Sequence, residues 1–252
     1  MTAPHITAIV LTLNEEEHLP GCLASIDGLG ARIIVLDSGS TDRTVQIAKE
    51  HAADVVHRPF SGYASQRNAG LSMAGDTRWI LFLDADERLT EESRTEILAR
   101  IDAVSDDVAA FWLPRKNVAF GRVLRGGGWW PDYQARLIRC GRGRYDETRQ
   151  VHEVVLYDGR TERLREPFVH LNYATRREFM QKQCAYTLRH VHQNLVGTPR
   201  RRAYLGRPVR EFWRRFVALK GYRDGVTGLF MAVVMAFEEI RCCMLLRRRE
   251  AA

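Results

Sequence analysis

The amino-acid sequence predicts an α/β fold with a mainly parallel central sheet, followed by a helical C-terminal appendage. Short β-branched, apolar segments alternate with amphipathic segments over about the first hundred residues, which is typical of a parallel sheet with helices on both faces. From Thr175 onward the pattern is helical, with a break near 197–199. We therefore divide the chain into an α/β domain, 1–175, and a basic helical region, 176–252.

Each element follows from its local pattern. Four segments are predicted as strands: Ile6–Leu13, Arg32–Leu36, Asp54–His57 and Trp79–Leu83. The first is β-branched and apolar, as a strand buried on both faces should be, and the third is short. Asn14 is expected to cap a helix that has Glu15–Glu17 in its first turn. Further helices are predicted at Arg43–His51, Gln66–Ala74 and Glu91–Ile101. Later strands are predicted at Ala109–Pro114, Ala135–Ile138, Glu153–Tyr157 and Phe168–Asn172, with a glycine-rich loop at Gly121–Asp132.

Composition excludes several classes of protein. The 252 residues are 27% charged and contain no apolar run long enough for a membrane span, and the segment Met1–Leu13 is interpreted as a strand rather than a signal peptide. The net charge of +7 resides in residues 200–249, where thirteen Lys and Arg face four Asp and Glu. The nearly neutral remainder argues against nucleic acid as a partner. Five cysteines without a paired pattern favour a reducing compartment.

Polar residues follow three of the predicted strands. They are Thr12, Asn14 and Glu15 after the first, Asp37 after the second, and Asp84 and Asp86 after the fourth. Ligands of parallel α/β sheets bind beyond the carboxyl ends of the strands. Two carboxylates separated by one residue can converge on Mg²⁺ or Mn²⁺. The alternatives are a helix cap at Asp37 and an exposed acidic turn at Asp84–Glu87. There is no P-loop motif, and the Gly28–Gly30 pair precedes a strand rather than following one, which excludes a Rossmann fingerprint.

Four segments together resemble a known family. Ile9–Glu16, Val35–Asp42, Gln66–Asn68 and Leu83–Glu87 are similar, in order and spacing, to the nucleotide-sugar half of family 2 glycosyltransferases, which have the GT-A fold. Three downstream segments resemble the bacterial subgroup that contains lipopolysaccharide core β-glucosyltransferases. These are Trp130–Leu137, Val151–Glu153 and Val169–His170.

The resemblance implies a role for each matched residue. Thr12, Asn14 and Glu15 would line the nucleoside pocket, and Asp37 would hydrogen-bond the base. Arg67 would face the diphosphate, Asp84 and Asp86 would form the DxD motif that holds a divalent cation, and His170 would lie near that metal. Trp130 would lie beside the donor sugar, and Glu153 would be the catalytic base. The alternatives are a solvated helix charge for Arg67, core packing for the Trp129–Trp130 pair and a purely structural role for His170.

The implied activity is transfer of a hexose, glucose by resemblance, from a UDP-sugar to a membrane-associated glycan such as lipopolysaccharide core. Mg²⁺ or Mn²⁺ would neutralise the departing diphosphate, and attack from the opposite face would invert the anomeric carbon. One alternative within the same class is a sugar transferase acting on polyprenyl phosphate. An alternative of another class is a non-catalytic module that binds sugar nucleotides or adapts to membranes. A phosphatase is disfavoured because Glu87–Arg88 follows the DxD where that class places a threonine nearby.

The C-terminal region has the composition of a membrane-surface helix. Five apolar residues in the last helix recur at helical spacing, and arginines surround the aromatic residues just before it. The apolar residues are Phe230, Val233, Phe237, Ile240 and Met244. The sequence therefore predicts a cytoplasmic protein bound peripherally to the anionic inner face of the cytoplasmic membrane. The alternative is an ordinary packed helix pair with a basic outer face.

Overall fold

The computed structural model of the chain describes residues 5–148, 155–193 and 203–250. The contacts divide the chain into two compact units. Unit 1 comprises Met1–Arg115 and Tyr133–His170, and unit 2 comprises Lys116–Asp132 and Leu171–Ala252. The division of the chain at residue 175 stays a prediction.

The described residues form strands and helices in a mixed order along the chain. The strands are β1 (Ile6–Thr12), β2 (Arg32–Asp37), β3 (Asp54–His57), β4 (Trp79–Asp84), β5 (Glu87–Arg88), β6 (Val108–Ala119), β7 (Arg122–Val123), β8 (Asp132–Arg139), β9 (Gly143–Tyr145), β10 (Val155–Tyr157), β11 (Arg160–Arg163) and β12 (Phe168–Tyr173). The α-helices are α1 (Leu19–Ile26), α2 (Thr44–Glu50), α3 (Tyr63–Met73), α4 (Glu91–Ala103), α5 (Arg176–Gln193), α6 (Ala203–Trp213) and α7 (Gly225–Glu250). The α/β prediction is confirmed.

The main sheet has the strand order β3-β2-β1-β4-β8-β6-β12-β5. Its first four strands run parallel, as their apolar sequences and intervening helices predict. Beyond them β8 pairs antiparallel with β4, and β12 pairs antiparallel with β5. The sheet is therefore mixed, and the expectation of a mainly parallel sheet describes the N-terminal half only. The antiparallel pairs come from the second half of unit 1, where β8 runs opposite to β4 and β12 runs opposite to β5.

Both faces of the parallel strands are covered, because their side chains alternate between two apolar clusters. Val10, Leu81 and Leu83 point into one cluster, which α1 and α4 complete. Ile9 and Phe82 point into the other, beneath α3. Helix α3 lies so close to the sheet that a Cβ on Gly70 would be 2.9 Å from Ile9 Cγ2. Burial on both faces fixes the register of these strands, and so fixes where their polar ends lie.

The helices of unit 1 begin at residues that the sequence identifies only in part. Helix α4 has a capping box, in which the Thr90 hydroxyl accepts from the Ser93 amide and Ser93 accepts from the Thr90 amide. Helix α1 begins at Leu19 with His18 at the N-cap position, so the expectation that Asn14 caps it is wrong. Asn14 has a positive φ of 55°, which turns the chain away from a helical start.

Unit 2 contains helices α5 to α7 and an aromatic core. Phe179 is fully buried and packs against Tyr173 with ring centroids 4.9 Å apart, against Trp129, and against Phe230 of α7. Phe230 is therefore half-buried against the core of unit 2, and its predicted place among the membrane-facing apolar residues of the last helix is wrong. No helix of the described ranges is long and apolar enough to cross a membrane.

Candidate active site

The predicted polar residues of unit 1 meet at one edge of the sheet. In the β1–β2 ladder Thr12 is paired with Asp37, and in the β1–β4 ladder Leu11 is paired with Asp84. Three neighbouring parallel strands thus end level with one another. The carboxyl ends of such strands are where α/β proteins bind ligands. This edge is the candidate site.

Asp37 organises the turn that follows β2. Its Oδ2 accepts hydrogen bonds from the amides of Gly39 at 2.9 Å and Ser40 at 3.0 Å, and its Oδ1 accepts from the hydroxyls of Thr12 and Ser40. Burial raises the pKa of Asp37, but these hydrogen bonds outweigh burial, so the pKa lies below its usual value. Asp37 is therefore an ionised, almost fully buried carboxylate, and it does not occupy the N-cap of α2, which is Arg43.

The turns after β1 and β2 are joined by reciprocal hydrogen bonds. The Asn14 amide donates to Ser40 Oγ at 2.9 Å, and Asn14 Oδ1 accepts from the Thr41 amide at 2.8 Å. The Glu15 amide donates to Thr44 Oγ1 at 2.8 Å. The structure thus places Thr12, Asn14 and Glu15 against the Asp37 turn, where the sequence predicts a nucleoside pocket.

Asp84 is clamped between two buried arginines. Its Oδ1 accepts from Arg67 at 3.0 Å, and its Oδ2 accepts from Arg136 at 2.7 Å. Burial opposes ionisation, yet the charges of Arg136 and Arg67 hold the pKa of Asp84 far below its usual range. The guanidinium of Arg67 also lies over the rings of Phe82 and Tyr145. Arg67 is therefore a buried ion-pair partner and not a solvated helix charge.

Glu87 extends this cluster of charges. It is completely buried, its Oε2 accepts from the Asp84 amide at 3.0 Å, and its Oε1 accepts from Arg136 at 2.5 Å and Arg115 at 3.5 Å. Burial lowers the pKa of Arg136, but Asp84 and Glu87 outweigh burial and raise it. The run Asp84–Glu87 is therefore not an exposed acidic turn.

Asp86 faces His170 across the β5–β12 pair. Asp86 Oδ2 lies 3.3 Å from His170 Nε2, and the backbone of His170 is in register with Glu87. The described residues contain no group of three or more potential metal ligands. A pair still fits Mg²⁺ or Mn²⁺, which take few protein ligands and complete their shell with water and phosphate oxygens. Adjacent ligands bound octahedrally at about 2.1 Å lie about 3 Å apart, close to the observed spacing.

Two predicted site residues remain, Trp130 and Glu153. Trp130 is half-buried in unit 2, where it follows Trp129. Trp129 packs edge-on against Tyr173 and beneath the guanidinium of Arg215, so core packing accounts for that member of the pair. Glu153, the predicted catalytic base, lies outside the described residues.

Sequence reasoning missed Arg136 and Glu87 as parts of the site. Arg136 lies in β8, 52 residues from Asp84. Both residues fall inside matched segments, Trp130–Leu137 and Leu83–Glu87, but the resemblance gave neither of them a role. One signal was available in the sequence. Arg136 lies two positions before Ile138, so the two side chains point to the same face of β8. An arginine on a buried face needs an acidic partner inside the protein, because buried charges are paired.

The sequence of this chain matches the model of the family described as Glycosyl transferase family 2 over residues 7–166, which is more than half of its length. The chain belongs to glycosyl transferase family 2. It is therefore an enzyme that transfers a sugar, and the interpretation as a non-catalytic module is wrong. The GT-A prediction for the α/β domain agrees with this membership.

Relatives within the family include a protein with a named role. The chain is 29% identical over 244 residues to the lipopolysaccharide core biosynthesis glycosyltransferase LpsC of Rhizobium meliloti (strain 1021), covering 92% of this chain and 87% of LpsC. It is 35% identical over 127 residues to an uncharacterized glycosyltransferase of Mycobacterium tuberculosis, covering 50% of this chain and 57% of that protein. The resemblance to lipopolysaccharide core glycosyltransferases is confirmed.

Solved structures of glycosyltransferases are also similar to this chain. TarS residues 1–349 of S. aureus, in complex with UDP, is 14% identical with a TM-score of 0.49, over 98% of this chain and 92% of that chain. Glucosyl-3-phosphoglycerate synthase of Mycobacterium tuberculosis, in complex with Mn²⁺ and UDP-glucose, is 23% identical with a TM-score of 0.36, over 45% of this chain and 43% of that chain. Family membership is established by the sequence match.

Proposed function

We propose that the enzyme transfers a hexose, glucose by resemblance, from a UDP-sugar to a lipopolysaccharide core or a similar lipid-linked glycan, with inversion at the anomeric carbon. The observation that carries this proposal is the convergence of Asp37, Asp84, Asp86 and His170 at one edge of the sheet. The acceptor is proposed from the name of LpsC. A rival within the class, transfer to polyprenyl phosphate, differs only on the acceptor side.

The donor would lie across the polar ends of β1, β2 and β4. Thr12, Asn14, Glu15 and Asp37 surround the turn proposed to hold the uridine. Arg67 supports this site through Asp84, which we propose contacts the nucleotide sugar, and Trp130 is proposed to lie beside the sugar. A thermal-shift panel of UDP, GDP and CMP and their sugars, each with and without Mn²⁺, tests the donor, because a ligand of the native state raises its stability. A shift with GDP or CMP but not UDP would contradict the proposed donor.

Asp86 and His170 would hold the divalent cation. When bound, such an ion supplies Lewis-acid neutralisation of the departing diphosphate. Asp86→Ala should therefore weaken UDP binding in Mn²⁺ while UDP binding in EDTA stays as it is in the wild type. Isothermal calorimetry measures both. Equal affinity of variant and wild type for UDP in Mn²⁺ would show that Asp86 does not bind the metal.

Glu153 is proposed to deprotonate the acceptor hydroxyl, because the resemblance of Val151–Glu153 to the family implies that this residue is the base. Glu153→Gln should keep donor binding and lower kcat by at least about 10²-fold. The nearby carboxylates Asp146 and Glu147 serve as comparisons. The Asp146 carboxylate accepts a hydrogen bond from the Thr148 amide, and Glu147 Oε1 accepts one from Asn68 Nδ2 at 2.7 Å. A large loss of kcat in Asp146→Asn or Glu147→Gln, with Glu153→Gln near normal, would assign the base elsewhere.

Peripheral binding to an anionic lipid surface is proposed for unit 2. One face of α7 carries exposed apolar residues at helical spacing, here called the α7 stripe: Val226, Leu229, Val233, Phe237 and Met244. Phe237 is 63% exposed, so this face is not covered by the described chain. On a helical projection Arg241, Arg247 and Arg248 flank the stripe. Arg241 also pairs with Glu238 at 3.5 Å, whereas Glu239 lies on another side of the helix. A stripe bordered by arginines suits insertion between anionic headgroups.

Cosedimentation with vesicles tests this surface. Wild-type protein should bind vesicles containing phosphatidylglycerol, and binding should fall at high salt and with neutral lipid. Phe237→Glu and the triple change of Arg241, Arg247 and Arg248 to Gln should each release it. Tyr186→Glu, at an exposed aromatic residue of α5, is the matched control and should still bind. Binding that ignores lipid charge, salt and these substitutions would favour the packed helix pair.

A further inference from the structure

We propose that Arg136 is a positioning residue, which with Glu87 holds the Asp84–Glu87 turn so that the carboxylate of Asp86 is presented to the cation. The inference rests on the proposed function, because it concerns the same site. The resemblance to the family assigns no role to Arg136. The geometry of its contacts supports one.

Arg136 bridges the two ends of the turn. One of its terminal nitrogens donates both to Asp84 Oδ2, at 2.7 Å, and to Glu87 Oε1, at 2.5 Å. The turn is closed a second time where Glu87 Oε2 accepts from the Asp84 amide at 3.0 Å. Asp84 and Glu87 are therefore tied to each other and, through Arg136, to β8. The two residues between them, Ala85 and Asp86, have little freedom to move.

Arg88, which follows Glu87, holds the Asp84–Glu87 turn from its other side. Arg88 donates to the carbonyl oxygens of Ala85, at 2.7 Å, and Glu87, at 2.9 Å, and also to that of His18. These contacts fix the backbone on both sides of Asp86. Its carboxylate is thereby directed at His170.

The turn therefore divides its three carboxylates between two tasks. Asp84 has both oxygens engaged by arginines, and Glu87 is engaged by Arg136, Arg115 and a backbone amide. Asp86 Oδ2 lies 3.3 Å from His170 Nε2, and no arginine lies within ion-pair distance of Asp86 in the described part of the chain. A guanidinium competes with a cation for carboxylate lone pairs. Asp86 is thus the carboxylate of the run that can accept a metal without breaking an arginine pair.

Residues that orient metal ligands typically affect metal affinity about 10–100-fold when changed. We therefore expect Arg136→Lys, which cannot reach both carboxylates with one planar group, to weaken UDP binding in Mn²⁺ by about tenfold or more. UDP binding in EDTA should stay at the wild-type value, because without the metal the position of Asp86 no longer affects UDP affinity. A loss confined to the Mn²⁺ arm separates positioning from general damage to the fold.

Two further variants keep the test informative. Breaking a buried ion pair on one side is strongly destabilising, whereas replacing both partners by apolar residues is often tolerated. The double variant Arg136→Met with Glu87→Met removes this pair together and leaves Asp84 paired with Arg67, so it should be less destabilised than Arg136→Met alone. It should lose the Mn²⁺-dependent gain in UDP affinity. Arg139→Lys is the matched control, since Arg139 is also buried in β8 but binds Asp106 and the carbonyl oxygens of Val108 and Ser105. It should keep that gain.

Calorimetric titration of the full-length variants with UDP, with Mn²⁺ or with EDTA, decides between the outcomes. Wild-type binding that Mn²⁺ strengthens, with the gain lost in Arg136→Lys and in the double Met variant but kept in Arg139→Lys, supports the inference. An undiminished gain in both Arg136 variants overturns it and leaves the proposed function in place. A wild-type protein whose UDP binding does not respond to Mn²⁺ overturns both.

Discussion

Replacement of Asp37 by asparagine tests how much the carboxylate stabilises the site. Asp37 is 2% exposed and accepts four hydrogen bonds, from the amides of Gly39 and Ser40 and from the hydroxyls of Thr12 and Ser40. An asparagine fits the same space. Its carbonyl oxygen can face the two amides, and its NH₂ group can face the hydroxyls, which then rotate to accept. Asp37→Asn therefore keeps the number of hydrogen bonds and removes their charge.

The size of the effect is set by the two hydrogen bonds that Asp37 accepts from backbone amides. A hydrogen bond to a charged group contributes about 1.5–3 kcal/mol, against about 1 kcal/mol for a neutral one. Weakening the two amide bonds should therefore cost about 1–4 kcal/mol of the free energy of unfolding at pH 7. The pKa of Asp37 is lowered in the folded protein, so this stability is fully present above the unfolded-state value of about 3.9. It is lost as the pH falls through the folded-state pKa.

Urea denaturation of wild type and Asp37→Asn at pH 7 and at a series of lower pH values measures this difference. The two proteins should differ most near neutrality, and the difference should shrink below about pH 4. Asp54→Asn is a suitable control, because Asp54 is exposed and pairs only with exposed Arg32 in the described chain; exposed pairs contribute about 0–1 kcal/mol. A difference as large at pH 3 as at pH 7 would show that the charge of Asp37 is not its source.

Two further substitutions probe the packing on which the site rests. Gly70→Ala would place a Cβ 2.9 Å from Ile9 Cγ2 and 3.1 Å from Phe82, so it should cost about 1–3 kcal/mol in urea denaturation; Gly206→Ala, in open space, should cost nothing. Phe179→Ala removes the centre of the aromatic core of unit 2 and should lower the stability of unit 2 by about 3–5 kcal/mol. The loss should appear in near-ultraviolet circular dichroism as an unfolding transition that begins earlier than in the wild type. An unchanged transition would contradict the burial of Phe179.

Local patterns predicted the parallel half of the fold and the place of its polar residues. The buried strands around Val10, Val35 and Phe82 are mostly apolar, and a polar residue ends each of them at Thr12, Asp37 and Asp84. Because parallel strands of one sheet end at the same edge, the sequence predicts that these residues share an edge. The strand order, with β1 between β2 and β4, brings them next to one another. The family motifs added the pairing of Asp86 with His170.

The parts that could not be predicted depend on contacts between distant residues. Arg136 is 49 residues from Glu87, and no local pattern states which acid a buried arginine will bind. Asn14 has the composition of a helix cap, but its amide and side chain bind the Ser40–Thr41 turn instead. A tertiary partner outcompeted the local preference, and helix α1 begins later as a result.

The hydrogen bonds between the turns after β1 and β2 have a consequence for engineering this enzyme. The amides of residues 14, 15 and 16 each donate to a side chain of the second turn, and amides of the second turn donate back to Asn14 and Glu16. Each turn is therefore stabilised by hydrogen bonds from the other, in addition to those that Asp37 accepts within the second turn. A chimera that takes one turn from a relative with a different donor would carry mismatched partners, so the two should be exchanged as a single cassette.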